Sequence, residues 1–166
     1  MSDRAGRRIV VAGVSGSGKS TVGSELADAL GVAFRDGDDF HSKANVDKMT
    51  AGIALTDDDR RPWLRSIGRW LHDHEGVVAC SALRRSYRDL VREACPDAWT
   101  AQLTGDRDLI AERQAARHGH FMPSSLMDSQ WATFEPLGPD EAGIVVDVGP
   151  EVPVLVDRIL EALEVE

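Results

Sequence analysis

Cysteine is scarce in this sequence and long apolar runs are missing, and each absence excludes a class of protein. Cys80 and Cys95 are the only cysteines in 166 residues, and their spacing matches no CxxC redox or metal pair. We therefore expect reduced thiols and no disulfide framework. No apolar run reaches the roughly 18 residues that a membrane helix needs, so the sequence predicts no membrane span.

Positive charge is also in short supply. The chain has 19 Lys and Arg against 28 Asp and Glu, which gives a formal net charge of −9 at pH 7. Such a surface repels phosphate backbones, so we expect no nucleic-acid partner, although local cations can still bind a small anion. Residues 1–8 are charged and lack the apolar stretch of a secretory signal. These features predict a cytoplasmic protein.

Short apolar runs alternate with longer amphipathic stretches, and this pattern predicts a single α/β domain over residues 1–166. The predicted strands are 8–12, 33–35, 77–80, 99–103 and 144–148, and the predicted helices are 19–30, 59–74, 84–94, 106–117 and 152–164. Strands that alternate with helices of about ten residues or more form βαβ units. We therefore expect a five-stranded parallel sheet with helices on both faces, a three-layer sandwich.

Two segments stand outside this alternation. Residues 40–58 are polar, and residues 118–139 contain two histidines and three prolines. Both are interpreted as insertions over the carboxyl edge of the sheet, where parallel α/β folds bind their ligands.

The strongest motif is a phosphate-binding loop. Residues 13–20, GVSGSGKS, match the pattern G-x-x-x-x-G-K-[ST] between a predicted strand and a predicted helix. Glycines let the backbone wrap an anion, the helix dipole attracts it, Lys19 would reach the β- and γ-phosphates, and Ser20 would bind Mg²⁺. The candidate phosphate-binding residues are Gly13, Val14, Ser15, Gly16, Ser17, Gly18, Lys19, Ser20 and Thr21. The alternative, a chance Gly/Ser turn, does not account for this context.

Carboxylates follow the second predicted strand in the sequence Asp36-Gly37-Asp38-Asp39. Phosphoryl transfer to an alcohol needs one carboxylate that holds Mg²⁺, usually through water, and one that orients or deprotonates the hydroxyl. Asp36 and Asp38 are spaced so that both can face the nucleotide. The alternative is an acidic turn with no further role, which the Asp-Gly pair also favours.

Arginines lie near this predicted anionic site. Pro62 is expected in the first turn of its helix, which would then start at Asp58 or Asp59. Arg60 and Arg61 follow these capping aspartates, and an arginine fork could bind a substrate carboxylate through two hydrogen bonds.

Two further segments complete the candidate site. Ser81 and Arg84 follow the strand 77–80, where small residues would open a floor beside the phosphates; a solvated helix start is the alternative. Arg113 and Arg117 share one helix face and precede a glycine-containing segment, which suits a lid that excludes water during transfer. His120 in that segment is expected to contact substrate or pack the loop.

Four stretches of the chain together resemble the gluconate kinases, P-loop small-molecule kinases related to shikimate kinases. They are GVSGSGKST (13–21), DGDDFHSKANVDKMTAGIALTDDDRRPWL (36–64), CSALRRSYRD (80–89) and LTGDRDLIAERQAARHGHFMPSSLMDSQWATFEP (103–136). The resemblance implies ATP- and Mg²⁺-dependent phosphorylation of the terminal hydroxyl of D-gluconate, giving 6-phosphogluconate and ADP. It further implies a P-loop kinase fold with a substrate-binding insertion and its helix at about 40–75, a lid at about 117–137, and a homodimer.

The resemblance also implies roles for single residues. Asp38 would hold or deprotonate the acceptor hydroxyl, Asp36 would help to place Mg²⁺, and Arg60, rather than Arg61, would grip the substrate carboxylate. The implied catalytic residues are Lys19, Asp38 and Arg117, the lid residues are Arg113, Arg117 and His120, and the substrate-binding residues are Asp38, Arg60, Ser81, Arg84 and His120.

Two other functions remain as alternatives. A kinase for shikimate or a nucleotide would share the phosphate loop, but the chain lacks a shikimate-type substrate motif and contains FHSKANVDKM. A nucleotide-dependent switch would need a base-reading motif such as N-K-x-D, and the sequence has none.

Overall fold

A five-stranded parallel sheet forms the centre of the structure, a computed structural model that describes residues 7–116 and 124–165. The strands are β1 (Arg8–Ala12), β2 (Ala33–Asp36), β3 (Gly76–Ala79), β4 (Trp99–Thr104) and β5 (Gly143–Asp147). Their order across the sheet is β2-β3-β1-β4-β5, and every neighbouring pair is parallel. The predicted parallel sheet is confirmed, with β1 at its centre and β2 and β5 at its edges.

The described helices connect these strands. They are α1 (Lys19–Leu30), α2 (Lys43–Thr50), α3 (Asp57–Asp73), α4 (Arg85–Ala94), α5 (Arg107–Ala116), α6 (Ser124–Thr133) and α7 (Val152–Val165), and a short 3₁₀ helix spans Gly37–Phe40. α2 and α6 lie in the two segments interpreted as insertions, and the hydrophobic pattern did not predict them. α2 is nevertheless capped in the usual way, because the Ser42 side chain accepts a hydrogen bond from the Asn45 N–H at 3.1 Å.

The two faces of the sheet bury two separate apolar clusters. In β1, Ile9 and Val11 face one cluster, which α1, α5 and α7 cover, while Val10 and Ala12 face the other, which α3 and α4 cover. Alternate residues of a strand point to opposite faces, so the continuous apolar run of β1 is buried on both sides. This confirms the predicted three-layer sandwich.

The start of α3 corrects one prediction. The helix begins at Asp57, and Pro62 is its sixth residue instead of a residue of the first turn. A capping box sets this start, because the Thr56 side chain accepts from the Asp59 N–H at 3.1 Å and the Asp59 carboxylate accepts from the Thr56 N–H at 2.9 Å. Pro62 is tolerated in the helix although it cannot donate to the carbonyl four residues before it.

Both cysteines lie in the apolar cluster that α3 and α4 cover. Cys80 and Cys95 are both buried and free, and burial raises the pKa of the Cys80 thiol to about 12. Within the described parts of the chain, no helix is long and apolar enough to cross a membrane.

Candidate active site

The carboxyl ends of β1, β2 and β3 bring three segments together at one edge of the sheet. The Gly13 N–H after β1 donates to the Ser81 carbonyl after β3 at 3.2 Å. Gly37 after β2 lies against the end of β3 so closely that a Cβ atom there would come within 2.6 Å of the Ala79 carbonyl. The phosphate loop, the acidic turn and the 81–84 loop therefore share one site, as expected for parallel strands.

The phosphate loop has the geometry that its sequence predicts. Gly16 and Gly18 adopt φ angles of 86° and 95°, which residues with a side chain rarely adopt. Gly18 caps α1 without a side-chain hydrogen bond, so the positive end of the helix dipole is left to a ligand. Lys19 Nζ lies 3.2 Å from the Val14 carbonyl across the loop. Glycine backbone, helix N-terminus and ammonium group together fit a phosphate anion.

One hydroxyl of the loop is buried beside Gly13. The Ser17 side chain is 1% exposed, and its Oγ atom has no hydrogen-bond partner within the described residues. A buried hydroxyl normally finds a partner, and an orphaned one calls for an explanation. Its position requires glycine at residue 13, because a Cβ atom on Gly13 would come within 2.7 Å of Ser17 Oγ.

Two glutamines, one on α5 and one on α6, accept hydrogen bonds from the phosphate loop. Gln130 Oε1 on α6 accepts from the Ser15 N–H at 2.7 Å, and Gln114 Oε1 on α5 accepts from Ser15 Oγ at 2.7 Å. α5 also packs directly on Gly16, where a Cβ atom would lie 2.9 Å from both Gln114 Cβ and the Ile110 carbonyl. The two helices on either side of residues 117–123 therefore hold the same loop residue.

The predicted magnesium residues lie next to each other. Asp36 ends β2 and accepts from Ser20 Oγ at 3.4 Å through one carboxylate oxygen and from the Asp38 N–H at 2.9 Å through the other. Within residues 7–116 and 124–165, no group of three His, Cys, Asp or Glu side chains is placed to hold a metal. Mg²⁺ keeps several waters and often shares its ligands with substrate phosphates, so one hydroxyl and one carboxylate fit it here.

Asp38 follows in the 3₁₀ helix and reaches solvent at the edge of the site. Partial desolvation by the surrounding atoms and the negative charge of Asp36 raise the pKa of Asp38, while His41 and Lys19 oppose the shift. A carboxylate with a raised pKa is a better proton acceptor, which matches the predicted role of Asp38.

Arg60 is held in a closed network between α3 and α4. Its Nη1 donates to the Tyr87 hydroxyl at 3.2 Å and to Asp57 Oδ1 at 3.4 Å, and the Tyr87 hydroxyl donates to the same Asp57 oxygen at 2.8 Å. This hydrogen bond from Tyr87 is the main reason that the pKa of Asp57 is lowered. Arg61, by contrast, pairs with Asp58 on the exposed face of α3. The structure thus orients Arg60 and leaves Arg61 on the surface.

A buried ion pair supports the loop between β3 and α4. Arg88 is 2% exposed; it donates through Nε and Nη2 to the Glu141 carboxylate at 2.8 and 3.0 Å and through Nη1 to the Ala82 carbonyl at 3.0 Å. Ala82 has a φ angle of 39°, which is unusual for a residue with a Cβ atom. This anchor fixes the backbone between Ser81 and the exposed Arg84, two of the predicted substrate-binding residues.

Comparisons with known proteins agree with this architecture. The shikimate kinase family model matches residues 15–130. The thermosensitive gluconokinase of Escherichia coli (strain K12) is 38% identical over 165 residues, which covers 96% of this chain and 88% of that protein. The structure of a gluconokinase from Sinorhizobium meliloti 1021 has a TM-score of 0.86 and 47% identity, covering 94% of this chain and 90% of that one. The chain belongs to the gluconokinase family.

The gluconokinase family shares its fold with more distant kinases. The shikimate kinase of Aquifex aeolicus vf5 superposes with a TM-score of 0.58 at 18% identity, covering 94% of this chain and 95% of that one. At that identity the likeness shows the fold alone, and it confirms the predicted P-loop kinase architecture.

Of the three predicted lid residues, the structure of this gluconokinase family member describes one. Arg117 and His120 lie outside the described residues. Arg113 Nη1 donates to the Val148 carbonyl just beyond β5 at 2.8 Å. The part of the predicted lid that the structure describes contains α6, and the lid function itself stays a prediction.

Four residues at the site were not assigned from the sequence: His41, Tyr87, Gln114 and Gln130. His41 lies in the FHSKANVDKM stretch and stacks on Trp63, with ring centroids 4.2 Å apart. Its closeness to the acidic turn was a usable signal. The glutamines and Tyr87 gave none, because each meets its partner only through tertiary packing.

Proposed function

We propose that this protein is a gluconokinase that transfers the γ-phosphate of ATP to the terminal hydroxyl of D-gluconate. The observation that carries the proposal is the meeting of the phosphate loop with the Asp36–Asp38 turn, joined by the contact between Ser20 and Asp36. This contact supports a phosphate donor site beside a proton acceptor, and the proposal agrees with relatives along nearly the full chain that are gluconokinases.

The phosphate loop holds the nucleotide in this proposal. Backbone N–H groups around Gly16 and Gly18 and the Lys19 ammonium bind the β- and γ-phosphates. Mg²⁺, held by Ser20 Oγ and through water by Asp36, would neutralise the charge on these phosphates. Positioning and charge neutralisation supply most of the rate in such a transfer.

Asp38 and Arg60 act on the acceptor. The terminal hydroxyl attacks the γ-phosphorus as Asp38 takes its proton, the new O–P bond forms, and the bond to the β–γ bridging oxygen breaks to release ADP. Arg60 binds the carboxylate at the other end of the sugar acid, with Ser81 and Arg84 beside it. Tyr87 and Asp57 orient the Arg60 guanidinium, which supports this assignment.

The remaining assignments belong to the same proposal. Arg113 and Arg117 act as lid arginines on the transferring phosphate, and His120 contacts the substrate. A homodimer and a cytoplasmic location stay predictions.

An acceptor panel tests the proposed function. ADP release from ATP and Mg²⁺ is measured with D-gluconate, shikimate, several nucleoside monophosphates and no acceptor. We expect turnover with D-gluconate alone. Turnover with another acceptor would contradict the proposed substrate but would still agree with the proposed role of the phosphate loop. ADP release in none of the mixtures would favour a nucleotide-dependent switch over a kinase.

A further inference from the structure

His41 is held in one orientation at the edge of the candidate active site. Its ring stacks on Trp63 with an interplanar angle of 16°. The Trp63 indole is itself fixed, since its Nε1 donates to the Gly37 carbonyl at 2.8 Å in the acidic turn. The half-buried imidazole is therefore fixed relative to the turn that carries Asp38.

Asn45 determines which nitrogen of His41 carries the proton. Asn45 is 5% exposed, and its Nδ2 donates to the Asp59 carbonyl at 3.0 Å. A backbone carbonyl only accepts hydrogen bonds, so the atom facing it is the amide nitrogen. The same Nδ2 lies 3.2 Å from His41 Nδ1, which must therefore accept, and the proton of the neutral ring is placed on Nε2.

Burial favours the neutral form of the His41 ring. Burial lowers the pKa of His41, the carboxylate of Asp38 opposes this shift, and the guanidinium of Arg60 adds to it. In the proposed function, Asp38 acts on the reacting hydroxyl of the acceptor and Arg60 binds its carboxylate. His41 thus carries a neutral N–H donor close to Asp38, whose carbonyl accepts from the His41 backbone N–H at 3.3 Å.

We propose that His41 is a substrate-binding residue whose Nε2–H donates to an oxygen of the polyhydroxy acid between Asp38 and Arg60, and that Asn45 is the positioning residue that fixes its tautomer. This assignment rests on the proposed function. It predicts a contribution to acceptor recognition and none to nucleotide recognition, because His41 is positioned by Asn45 of α2 and Trp63 of α3, two helices that follow the acidic turn.

The variant H41F tests the donor separately from the ring. Phenylalanine keeps a flat ring against Trp63 but removes Nε2–H. Loss of one neutral hydrogen bond predicts a rise in KM for D-gluconate of about three- to tenfold, with KM for ATP within about twofold of the wild type. H41Q returns an amide N–H and is expected to lie closer to the wild type than H41F does.

His74 offers a matched control. It stacks on Trp70 near the other end of α3, with ring centroids 5.2 Å apart, and its Nδ1 lies 3.1 Å from the Trp70 carbonyl. H74F makes the same chemical change away from the site and is expected to leave both KM values unchanged. Thermal melting of all variants identifies any loss of folded protein.

A double-mutant cycle tests the positioning role of Asn45. N45A is expected to raise KM for D-gluconate in the wild-type background and to add nothing in the H41F background, because it acts through His41. Additive effects of N45A and H41F would overturn the positioning role.

The wild-type control separates the two proposals. A wild type active on D-gluconate with an unchanged KM in H41F overturns the role of His41 alone, and so does a parallel rise in KM for both substrates. A wild type inactive on D-gluconate overturns the proposed function and the role of His41 together.

Discussion

At the scale of single residues, the chemistry of the site depends on which neighbours each side chain meets. Asp36, Asp38 and Asp39 stand in one short turn, yet the structure gives them different surroundings. Asp36 uses both carboxylate oxygens in hydrogen bonds with Ser20 and with the Asp38 backbone. Asp38 is exposed at the edge of the site, and its pKa is raised.

The substitution D38N is expected to lower kcat by about 10²- to 10⁴-fold, the usual contribution of a proton acceptor. The Kd for ATP should change little, because Asp38 lies outside the phosphate loop. Steady-state kinetics and a titration with ATP measure the two quantities. D39N, in the same turn, is the control and should retain most activity.

The pH profile gives an independent check on Asp38. The pKa of Asp38 is raised above 3.8, so kcat/KM should fall on the acid side at a pH above that value as Asp38 takes up its proton. An unchanged kcat in D38N with an altered Mg²⁺ dependence would mean that Asp36 and Asp38 have exchanged roles.

At the scale of secondary-structure elements, the phosphate loop depends on α5 and α6 as well as on its own glycines. Gln114 and Gln130 reach Ser15 from these two helices. A loop that binds phosphate through several backbone N–H groups has a lower affinity when its backbone is mobile in the free protein. Binding must then remove that motion, which costs entropy.

The substitution Q130L is therefore expected to raise KM for ATP by about three- to tenfold, as expected for one lost hydrogen bond, and to leave KM for D-gluconate unchanged. The exposed residue Asp128, on the same helix, provides the control D128A. An effect of Q130L on D-gluconate alone would show that α6 supports the acceptor side instead.

The elements themselves were predictable to different degrees. β1 and α1 have the predicted bounds because the run RIVVA and the helical period after Lys19 are strong local signals. α2 was missed because KANVDKMT is short and mostly polar, and its apolar Val46 and Met49 are each 43% exposed. No periodic signal exists when a helix buries so little.

The site was predictable where one segment contains the whole motif. Residues 13–20 carry the phosphate loop in a single stretch, so their pattern was sufficient. Arg60 could be named but not oriented, because its partner Tyr87 lies 27 residues away. Ser15 meets Gln130 across 115 residues, and sequence proximity gives no information about such a pair.

At the scale of the whole molecule, a buried ion pair ties the loop after β3 to the segment before β5. Burial raises the pKa of Glu141, but hydrogen bonds from Arg88, the Gly138 N–H and Arg92, together with the Arg88 charge, outweigh it and lower that pKa from 4.5 to about 2. A carboxyl whose pKa is depressed on folding stabilises the protein above its unfolded pKa, and this contribution disappears as the pH falls through the folded value.

The substitution E141Q is expected to lower the free energy of unfolding by about 3 kcal/mol at neutral pH, since glutamine cannot balance the buried Arg88 charge. The wild type and E141Q should converge between pH 4.5 and about 2, where Glu141 becomes protonated. Urea unfolding across this pH range measures the difference. D140N breaks the exposed pair with Arg85 and should have little effect; equal losses in both variants would contradict the distinction.

In the strand order, the phosphate loop follows the central strand of the sheet and the proposed acceptor-binding segment follows an edge strand. The phosphate loop begins at the end of β1, which is paired on both sides. The acidic turn begins at the end of the edge strand β2 and leads into α2 and α3. Substitutions at the exposed positions of this segment disturb few neighbours. The same fold can therefore accept a different acceptor through substitutions in the segment that follows β2, while the phosphate loop that follows β1 stays unchanged.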